Sequence, residues 1–531
     1  MVEHPWTIWR AGRAASLLFA LALAATVLLY LVRNRRRIYG LWYLVRGPQV
    51  IDNAYAKAEG KAFKVATPSN DHLLVTSDDL IRELIDAPIQ QLSLHAVAKE
   101  ILQPKYTMYG FEWQDQRGVE GTGFVRALRS LLTAHLPYFQ PTLQRIIENS
   151  FSRELEHPGA DEMGSTENSG FAQVQLFPFI KKIVTEVNSF IFFGEELSRN
   201  AEFRQAALEF PQTVVFAAEL LRITPIKALR PLVAAVATQQ HRAAKTLFRH
   251  LEPIVKRRLA ARAELQSDGS GRTAENTNKD CMQWLIDTSP RKNPWSPARM
   301  VGEIMAVWFG SVHQLAMTTT YAIYDMCVHP EYVEPLRSEL QRLQHNASGL
   351  DKLPLLDSFI KESIRCNNSD ATTEDSDTVT GRRKALAPYI FQDGSRLREG
   401  DWACVPQRAM MMDGLRYSHA DTFDGFRFAR ANEALRQGIT PDEVPDRAPS
   451  SLTDSTIDWP IWGFGNTACP GRFYASLVLK LILVHILEEW ECVMPDPSAP
   501  RCRTWRSSIV PRSTTVVSFR RQQGHRGEVV R

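Results

Sequence analysis

The chain has 531 residues, of which 44% are hydrophobic and 23% are charged, a composition that excludes collagen, a coiled coil and wholesale disorder. Its 63 Lys and Arg residues nearly balance 59 Asp and Glu residues, which leaves a net charge of +4 and speaks against a nucleic-acid-binding role. The seven cysteines are scattered, so we expect neither a secreted disulfide framework nor a structural zinc site.

Residues 14–32 are an uncharged, almost wholly apolar run, which is long enough to cross a hydrocarbon core of about 30 Å as a helix. The arginine cluster at 33–37 follows this run, and such clusters stay on the cytosolic side. We therefore predict a lumenal N-terminus over 1–13, a transmembrane anchor over 14–32 and a cytosolic bulk. A cleaved signal peptide is the alternative, although its apolar region is shorter and its basic residues come first.

Helical periodicity dominates the rest of the chain, which predicts one mainly α domain with minor β over 61–531, after a basic linker over 33–60. Two short β-type runs stand at 72–77 and 389–394. The predicted helices are 120–157, 172–193, 202–222, 232–265, 296–328, 331–345, 354–366 and 471–490.

A glycine-rich loop surrounds one cysteine near the C-terminus. Gly463, Gly465 and Gly471 flank Cys469, and an amphipathic helix follows directly. Glycines allow close backbone approach to a flat ligand, and a helix N-terminus favours the thiolate by lowering the thiol pKa. Cys469 is thus a candidate nucleophile or metal ligand, although a lone cysteine is more often a buried structural residue.

The segment WGFGNTACPG at 462–471 resembles the heme-binding loop of the cytochrome P-450 family of heme-thiolate monooxygenases. Gly465, Cys469 and Gly471 match the family pattern, Trp462 replaces its phenylalanine, and Thr467 replaces its usual arginine or histidine. The resemblance implies the cytochrome P-450 fold, bound heme and a Cys469 thiolate as the iron ligand.

Two upstream segments carry the same resemblance. Glu362 and Arg365 stand at i and i+3 in a predicted helix, where their side chains can pair, and Arg427 lies in the later segment 419–430. The resemblance implies that these three residues form a buried structural triad. A buried carboxylate between two guanidinium groups is tolerable only when it is fully paired.

The predicted helix over 301–327 takes the position of the family's distal helix. Where the family has an acid and an alcohol that relay protons to dioxygen, this sequence has His313 and Gln314. A histidine can relay protons near neutral pH, whereas a glutamine amide is a poor proton donor. An alternative alignment uses Thr318 or Thr319, and both unusual residues could also simply form hydrogen bonds within a helix.

Two arginines of the predicted helix at 121–136 are candidates to bind a heme propionate, because a guanidinium group suits carboxylate recognition. Arg129 fits the family spacing better than Arg126. A solvated helix face is the other interpretation of both side chains.

The resemblance to membrane-bound fungal tailoring enzymes implies a single-pass protein of the endoplasmic reticulum. Its partners would be membrane lipid, O2, a hydrophobic small-molecule substrate and an NADPH-cytochrome reductase that supplies electrons to the heme. Three alternatives stay open. The first is an enzyme that catalyses oxidative rearrangement, ring expansion or dehydrogenation without oxygen retention. The second is a reductase-independent isomerase or dehydratase, and the third is a non-catalytic heme-binding scaffold.

Overall fold

The computed structural model describes residues 35–68, 70–112, 123–156, 170–267, 279–290, 294–345, 349–368, 381–439 and 451–522. The predicted lumenal segment 1–13 and the predicted anchor 14–32 lie outside these residues. In the part of the chain that the structure describes, no helix combines the length and the apolar character needed to cross a membrane.

The described residues are mainly helical, as the sequence predicts. Helices α1 to α17 are, in chain order, Arg35–Ala58, Asp78–Asp86, Leu94–Leu102, Pro104–Thr107, Gly123–Arg126, Thr133–Leu155, Leu176–Arg199, Ala201–Ile223, Arg230–Ala237, Arg242–Ser267, Cys281–Thr288, Pro297–Val328, Val333–His345, Pro354–Cys366, Gln407–Met411, Arg427–Arg436 and Arg472–Glu489. A π-helical turn, Ala127–Leu132, joins α5 to α6.

Within the described residues the strands are short and form four small sheets. Strands β1 to β12 are Phe63–Ala66, Asp71–Leu74, Leu92–Ser93, Ala172–Gln175, Arg382–Ala385, Tyr389–Ile390, Arg396–Leu397, Trp402–Cys404, Trp490–Val493, Cys502–Trp505, Ser508–Pro511 and Val516–Arg521. The largest sheet has the order β1-β2-β8-β5-β3, and β4-β12-β9 form the second. In the first sheet β2 and β8 run parallel, whereas the other neighbours are antiparallel.

The predicted basic linker over 33–60 is corrected by the structure, because its described part is helix α1. The helix packs against β1 and β10, and it buries Tyr43 and Ile51, which are 0% and 1% exposed. Non-helical torsion angles at Arg46 and a proline at position 48 mark a kink in it. This segment is part of the folded body and is not a spacer.

Helix α12 is the longest described helix and runs through the core. Its first turn is capped by Ser296, whose side chain accepts a hydrogen bond from the amide of Arg299, and Pro297 takes the first helical position. The helix packs against α7, α10, α14 and α17. Because α17 begins directly after the cysteine loop, this packing places the loop and α12 on two sides of one cavity.

Candidate active site

A cavity of about 350 Å³ lies between α12 and the loop that carries Cys469, a volume within the usual range for small-molecule sites. Much of the cavity lining is apolar. It includes Met108, Phe124, Leu128, Phe192, Val307 and Phe309. Cys469, Gly471 and Trp462 also line the cavity, so it combines an apolar chamber with a thiol.

The cysteine loop is held in shape by its own hydrogen bonds. The Cys469 amide donates to the carbonyl of Trp462 at 2.6 Å, and the Trp462 indole Nε1 donates to the carbonyl of Leu452 at 2.6 Å. Gly463 and Gly465 have φ angles of 75° and 52°, in the left-handed region that favours glycine. The glycine spacing noted in the sequence thus serves two turns that present the sulfur to the cavity.

The charges around Cys469 act on its thiol in opposite directions. Burial raises the pKa of the thiol, whereas the Gly471 amide and the positive charges of Arg472 and Arg129 lower the pKa. The loop amide thus lowers the thiol pKa as the sequence predicts, but the effect of burial is larger. A bound metal ion would reverse this result, because a coordinating thiol is deprotonated outright.

Two arginines converge on the loop. Arg129 lies in the π-helical turn Ala127–Leu132, and its Nη2 donates to the carbonyl of Ala468 at 3.1 Å. Its Nε is buried and, within the described residues, has no hydrogen-bond partner. Arg383 of β5 donates to the Thr467 hydroxyl at 3.0 Å, whereas Arg126, the alternative to Arg129, is exposed.

These features fit a heme group. The cavity contains a thiol, the space around Gly471 is open, and the buried Nε of Arg129 has no hydrogen-bond partner among the described residues. This combination suits a flat ring with acidic side groups. Arg383 approaches Thr467, where this chain lacks the family's arginine or histidine. Sequence reasoning missed Arg383, for which the basic pair at 382–383 after a polar stretch was the available signal.

Glu362, Arg365 and Arg427 come together as the resemblance implies. Arg365 binds Glu362 with two hydrogen bonds of 2.7 and 2.8 Å, and Arg427 Nε lies 3.3 Å from the same carboxylate. The exposed fractions of the three side chains are 0%, 0% and 2%. The amide of Asp424 also donates to Glu362 at 2.9 Å, so the buried carboxylate is fully paired.

Arg365 and Arg427 connect this cluster to the cysteine loop. Arg365 donates to the carbonyls of Met411 and Ala420 at 2.9 and 2.7 Å, which fixes the segment 411–422. Within that segment, the hydroxyl of Tyr417 donates to the carbonyl of Asp458, at the start of the loop region, at 3.1 Å. The cluster thus holds the backbone from which the loop begins.

On α12 the two unusual residues point in different directions. Gln314 lines the cavity, and its amide nitrogen is buried without a hydrogen-bond partner among the described residues. His313 does not line the cavity. Burial and the charge of Lys181 on α7 lower the pKa of His313 to about 4, so the ring is neutral near pH 7.

The structure therefore corrects the predicted relay role of His313, because adjacent helical residues point about 100° apart. Of the alternative residues, Thr318 lines the cavity, whereas Thr319 is 0% exposed and bonds back to the carbonyl of Leu315 at 2.7 Å.

Sequence reasoning also missed a buried bridge between the two sides of the cavity. The hydroxyl of Tyr474 on α17 donates to Asn188 Oδ1 at 2.7 Å. Asn188 Nδ2, from α7, donates to the carbonyl of Ser311 on α12 at 2.8 Å. No local pattern signals this bridge, since its three residues come from distant helices.

Comparisons with known proteins agree with this geometry. The family model of cytochrome P450 matches residues 44–519. The cytochrome P450 monooxygenase AN1598 of Emericella nidulans is 27% identical over 482 residues, covering 89% of this chain and 83% of the relative. The ent-kaurene oxidase P450-4 of Gibberella fujikuroi is 29% identical over 367 residues, which is 67% of each chain.

A solved structure shares the fold. The retinoic acid-bound cyanobacterial CYP120A1 superposes with a TM-score of 0.65 and 17% sequence identity, covering 91% of this chain and 96% of the other. At this identity the agreement concerns the fold alone, and it supports the expected architecture of helices with minor sheet.

Proposed function

Since this chain belongs to the cytochrome P450 family and is a heme-thiolate monooxygenase, we propose that it oxidises a hydrophobic small molecule with electrons from an NADPH-dependent reductase. The observation that carries this proposal is the cavity, in which Cys469 faces a mainly apolar chamber. Such a chamber excludes water and binds apolar surface.

Several residues of the chain have separate roles in binding heme. Cys469 would bind the heme iron, with Gly465 and Gly471 shaping the backbone around it, and Trp462 would shield the sulfur from solvent. Arg129 and Arg383 would pair with the acidic side groups of heme. When bound, heme supplies the redox-active iron at which dioxygen is reduced and the substrate oxidised.

Membrane attachment is part of the proposal, with the anchor at 14–32 holding the catalytic domain on the cytosolic face of the endoplasmic reticulum. A second feature supports it. Six exposed apolar side chains lie in the last turns of α8, in the connection after it and in α9, and we call them the α8–α9 apolar surface: Phe216, Ile223, Ile226, Leu229, Leu232 and Val236. Exposed apolar patches of this kind mark membrane or protein contacts.

The substrate class follows from the wall of the cavity and from the relatives. Relatives named ent-kaurene oxidase and cytochrome P450 monooxygenase come from Gibberella, Emericella and Penicillium species. We propose a fungal secondary metabolite with a terpenoid, polyketide or alkaloid scaffold as the substrate.

A second outcome is favoured by Gln314, which faces the cavity where the family places a proton-donating alcohol. Poor proton delivery would favour dehydrogenation, ring expansion or rearrangement without oxygen retention. Turnover under isotope-labelled dioxygen separates the two outcomes, since label in every product excludes rearrangement. Product formed without NADPH would instead indicate an isomerase or dehydratase.

The central test is the absorption spectrum of the reduced protein under carbon monoxide. We expect the band of a thiolate-ligated heme in the wild type and its loss in Cys469→Ala. Cys404→Ala is the control, because Cys404 is a buried cysteine of β8 that does not line the cavity. A wild-type spectrum without the thiolate band contradicts the proposal.

A further inference from the structure

The cavity contains one acidic side chain. Among the described residues that line it, Glu303 of α12 is the only Asp or Glu, and no Lys or Arg lines it. Glu303 precedes Gly310, which also lines the cavity, by seven residues. That spacing is two helical turns, or about 10 Å along the helix axis.

The charge of this carboxylate is only partly compensated. Its one cationic neighbour within ion-pair distance among the described residues is Arg299, whose Nε lies 3.8 Å from Glu303 Oε1, beyond the range of a good hydrogen bond. The guanidinium group of Arg299 also lies over the Trp295 ring at 4.4 Å from the centroid. Burial raises the pKa of Glu303 more than Arg299 lowers it.

A partly buried carboxylate in an apolar chamber favours a ligand that brings a positive charge to it. The neighbouring lining residues on α12, Ala306 and Val307, are apolar and offer such a ligand only surface for its hydrocarbon part. A neutral hydroxyl group would donate one hydrogen bond but would leave the negative charge in place. The site is therefore better matched to a protonated amine than to an alcohol.

We propose that Glu303 binds the protonated amine of a hydrophobic, alkaloid-like substrate and sets which carbon of that substrate lies beside the Cys469 side of the cavity. This inference rests on the proposed function, since it specifies the substrate class of the same cavity. The amine would lie near the first half of α12, about two helical turns from the level of Gly310.

Three matched probes test it on the heme-loaded, full-length protein: N,N-dimethyl-4-phenylbutylamine, its carbon isostere 5-methylhexylbenzene, and 4-phenylbutanol. Dissociation constants are measured by calorimetry and by the heme absorption spectrum. We expect the amine to bind the wild type about tenfold more tightly than either neutral probe, a ratio that one charge-assisted hydrogen bond supplies.

Two variants should change the affinity for the amine in opposite directions. Glu303→Gln keeps the size of the side chain and should remove the preference for the amine, while the two neutral probes bind as before. Arg299→Gln removes the competing cation and should strengthen amine binding. A merely structural role of this ion pair would weaken all three probes in both variants.

The inference is overturned if amine and neutral probes keep the same affinity ratio in Glu303→Gln, or if the spectrum shows the amine nitrogen bound to the heme iron. Equal binding of amine and alcohol by the wild type also overturns it. Failure of all probes to bind, together with a missing thiolate band under carbon monoxide, would instead contradict the proposed function.

Discussion

Gln314 is the residue through which this active site departs most from its family. It lines the cavity, and its buried amide nitrogen has no hydrogen-bond partner among the described residues, so it can hold a water molecule there. We predict that Gln314→Leu lowers the fraction of NADPH oxidation that yields product by about tenfold, because losing one hydrogen bond to that water is worth about 1.4 kcal/mol. Product and hydrogen peroxide are measured against NADPH consumed.

His313 provides the control for this prediction, since it is adjacent in sequence but does not line the cavity. With its pKa lowered to about 4, the ring does not change charge near neutral pH. His313→Gln should therefore leave the product fraction within about twofold of the wild type, and its pH dependence near neutrality unchanged. A larger loss in His313→Gln than in Gln314→Leu would reverse the assignment made from the cavity.

The contrast between these residues shows what the sequence can and cannot predict about the site. Cys469 was identifiable because glycines at fixed distances around it carry the constraint within a few residues. Glu303, Arg383 and the direction of His313 were not identifiable, because each depends on how a helix or strand packs against the cavity or the cysteine loop. That choice is made by the packing of α7, α12 and the first sheet, which brings together residues far apart in sequence.

At the scale of elements, the buried Glu362 carboxylate ties α14 to the segment that leads to the cysteine loop. We predict that Glu362→Ala yields protein without bound heme, because removing one partner of a buried ion pair costs about 3–5 kcal/mol. That cost is a large part of a total stability of about 5–15 kcal/mol. Heme absorbance per unit of protein measures the loss.

Glu334→Ala is the matched control. Glu334 pairs with Arg337 at the same i, i+3 spacing and at 2.7 Å, but the glutamate is 78% exposed. An exposed pair contributes about 0–1 kcal/mol, so this variant should keep its full heme content. Full heme content in Glu362→Ala as well would show that the buried cluster is dispensable.

The Tyr474–Asn188–Ser311 bridge joins three helices around the cavity. Tyr474→Phe leaves the buried Asn188 oxygen without its donor, so we predict a loss of about 1–3 kcal/mol in the free energy of unfolding. Urea-induced unfolding followed by circular dichroism measures this loss. The exposed Tyr138 supplies the control, since Tyr138→Phe should change stability by less than about 0.5 kcal/mol.

A double-mutant cycle with Asn188→Ala tests whether the loss comes from this bridge. If it does, the double variant should be less destabilised than the sum of the single variants. Additive effects would show that Tyr474 and Asn188 act on stability independently.

Element boundaries followed the sequence where local signals were strong. Helix α14 spans the predicted 354–366 because Pro354 takes its first position. Helix α1 was missed because Gly47 and Pro48 argue locally against a helix, whereas its packing on β1 and β10 stabilises one. The sequence predicts a helix from residue 172, where the structure has strand β4. The reason is that the pairing of β4 with β12 joins residues more than 300 positions apart.

For the whole molecule, the total charge is near neutral, but the exposed apolar residues are distributed unevenly. The main core is one cluster of buried apolar residues from α1 to β12, and a second, smaller cluster lies around the first sheet. The α8–α9 apolar surface lies outside that core, with Leu232 and Val236 63% and 72% exposed. Such exposure in one short stretch needs a contact that covers it.

If that contact is the lipid bilayer, it and the proposed anchor over 14–32 are two membrane attachments that can be tested separately. We predict that a chain lacking residues 1–34 still cosediments with phospholipid vesicles, and that Leu232→Glu with Val236→Glu abolishes this binding. Burying one such side chain contributes about 1.5–3 kcal/mol, so losing both lowers the partition coefficient by more than about tenfold. In the full-length chain the same substitutions should leave the protein on the membrane, because the proposed anchor remains.

Leu415→Glu in the truncated chain is the control, since Leu415 is 92% exposed but lies outside the α8–α9 apolar surface. It adds one negative charge to the same truncated body, half of what the double substitution adds, and vesicle binding should persist. If Leu415→Glu releases the protein as fully as the double substitution, added negative charge explains the effect, and the apolar surface is not a lipid contact. If the truncated wild type fails to bind vesicles at all, the α8–α9 apolar surface is not a lipid contact.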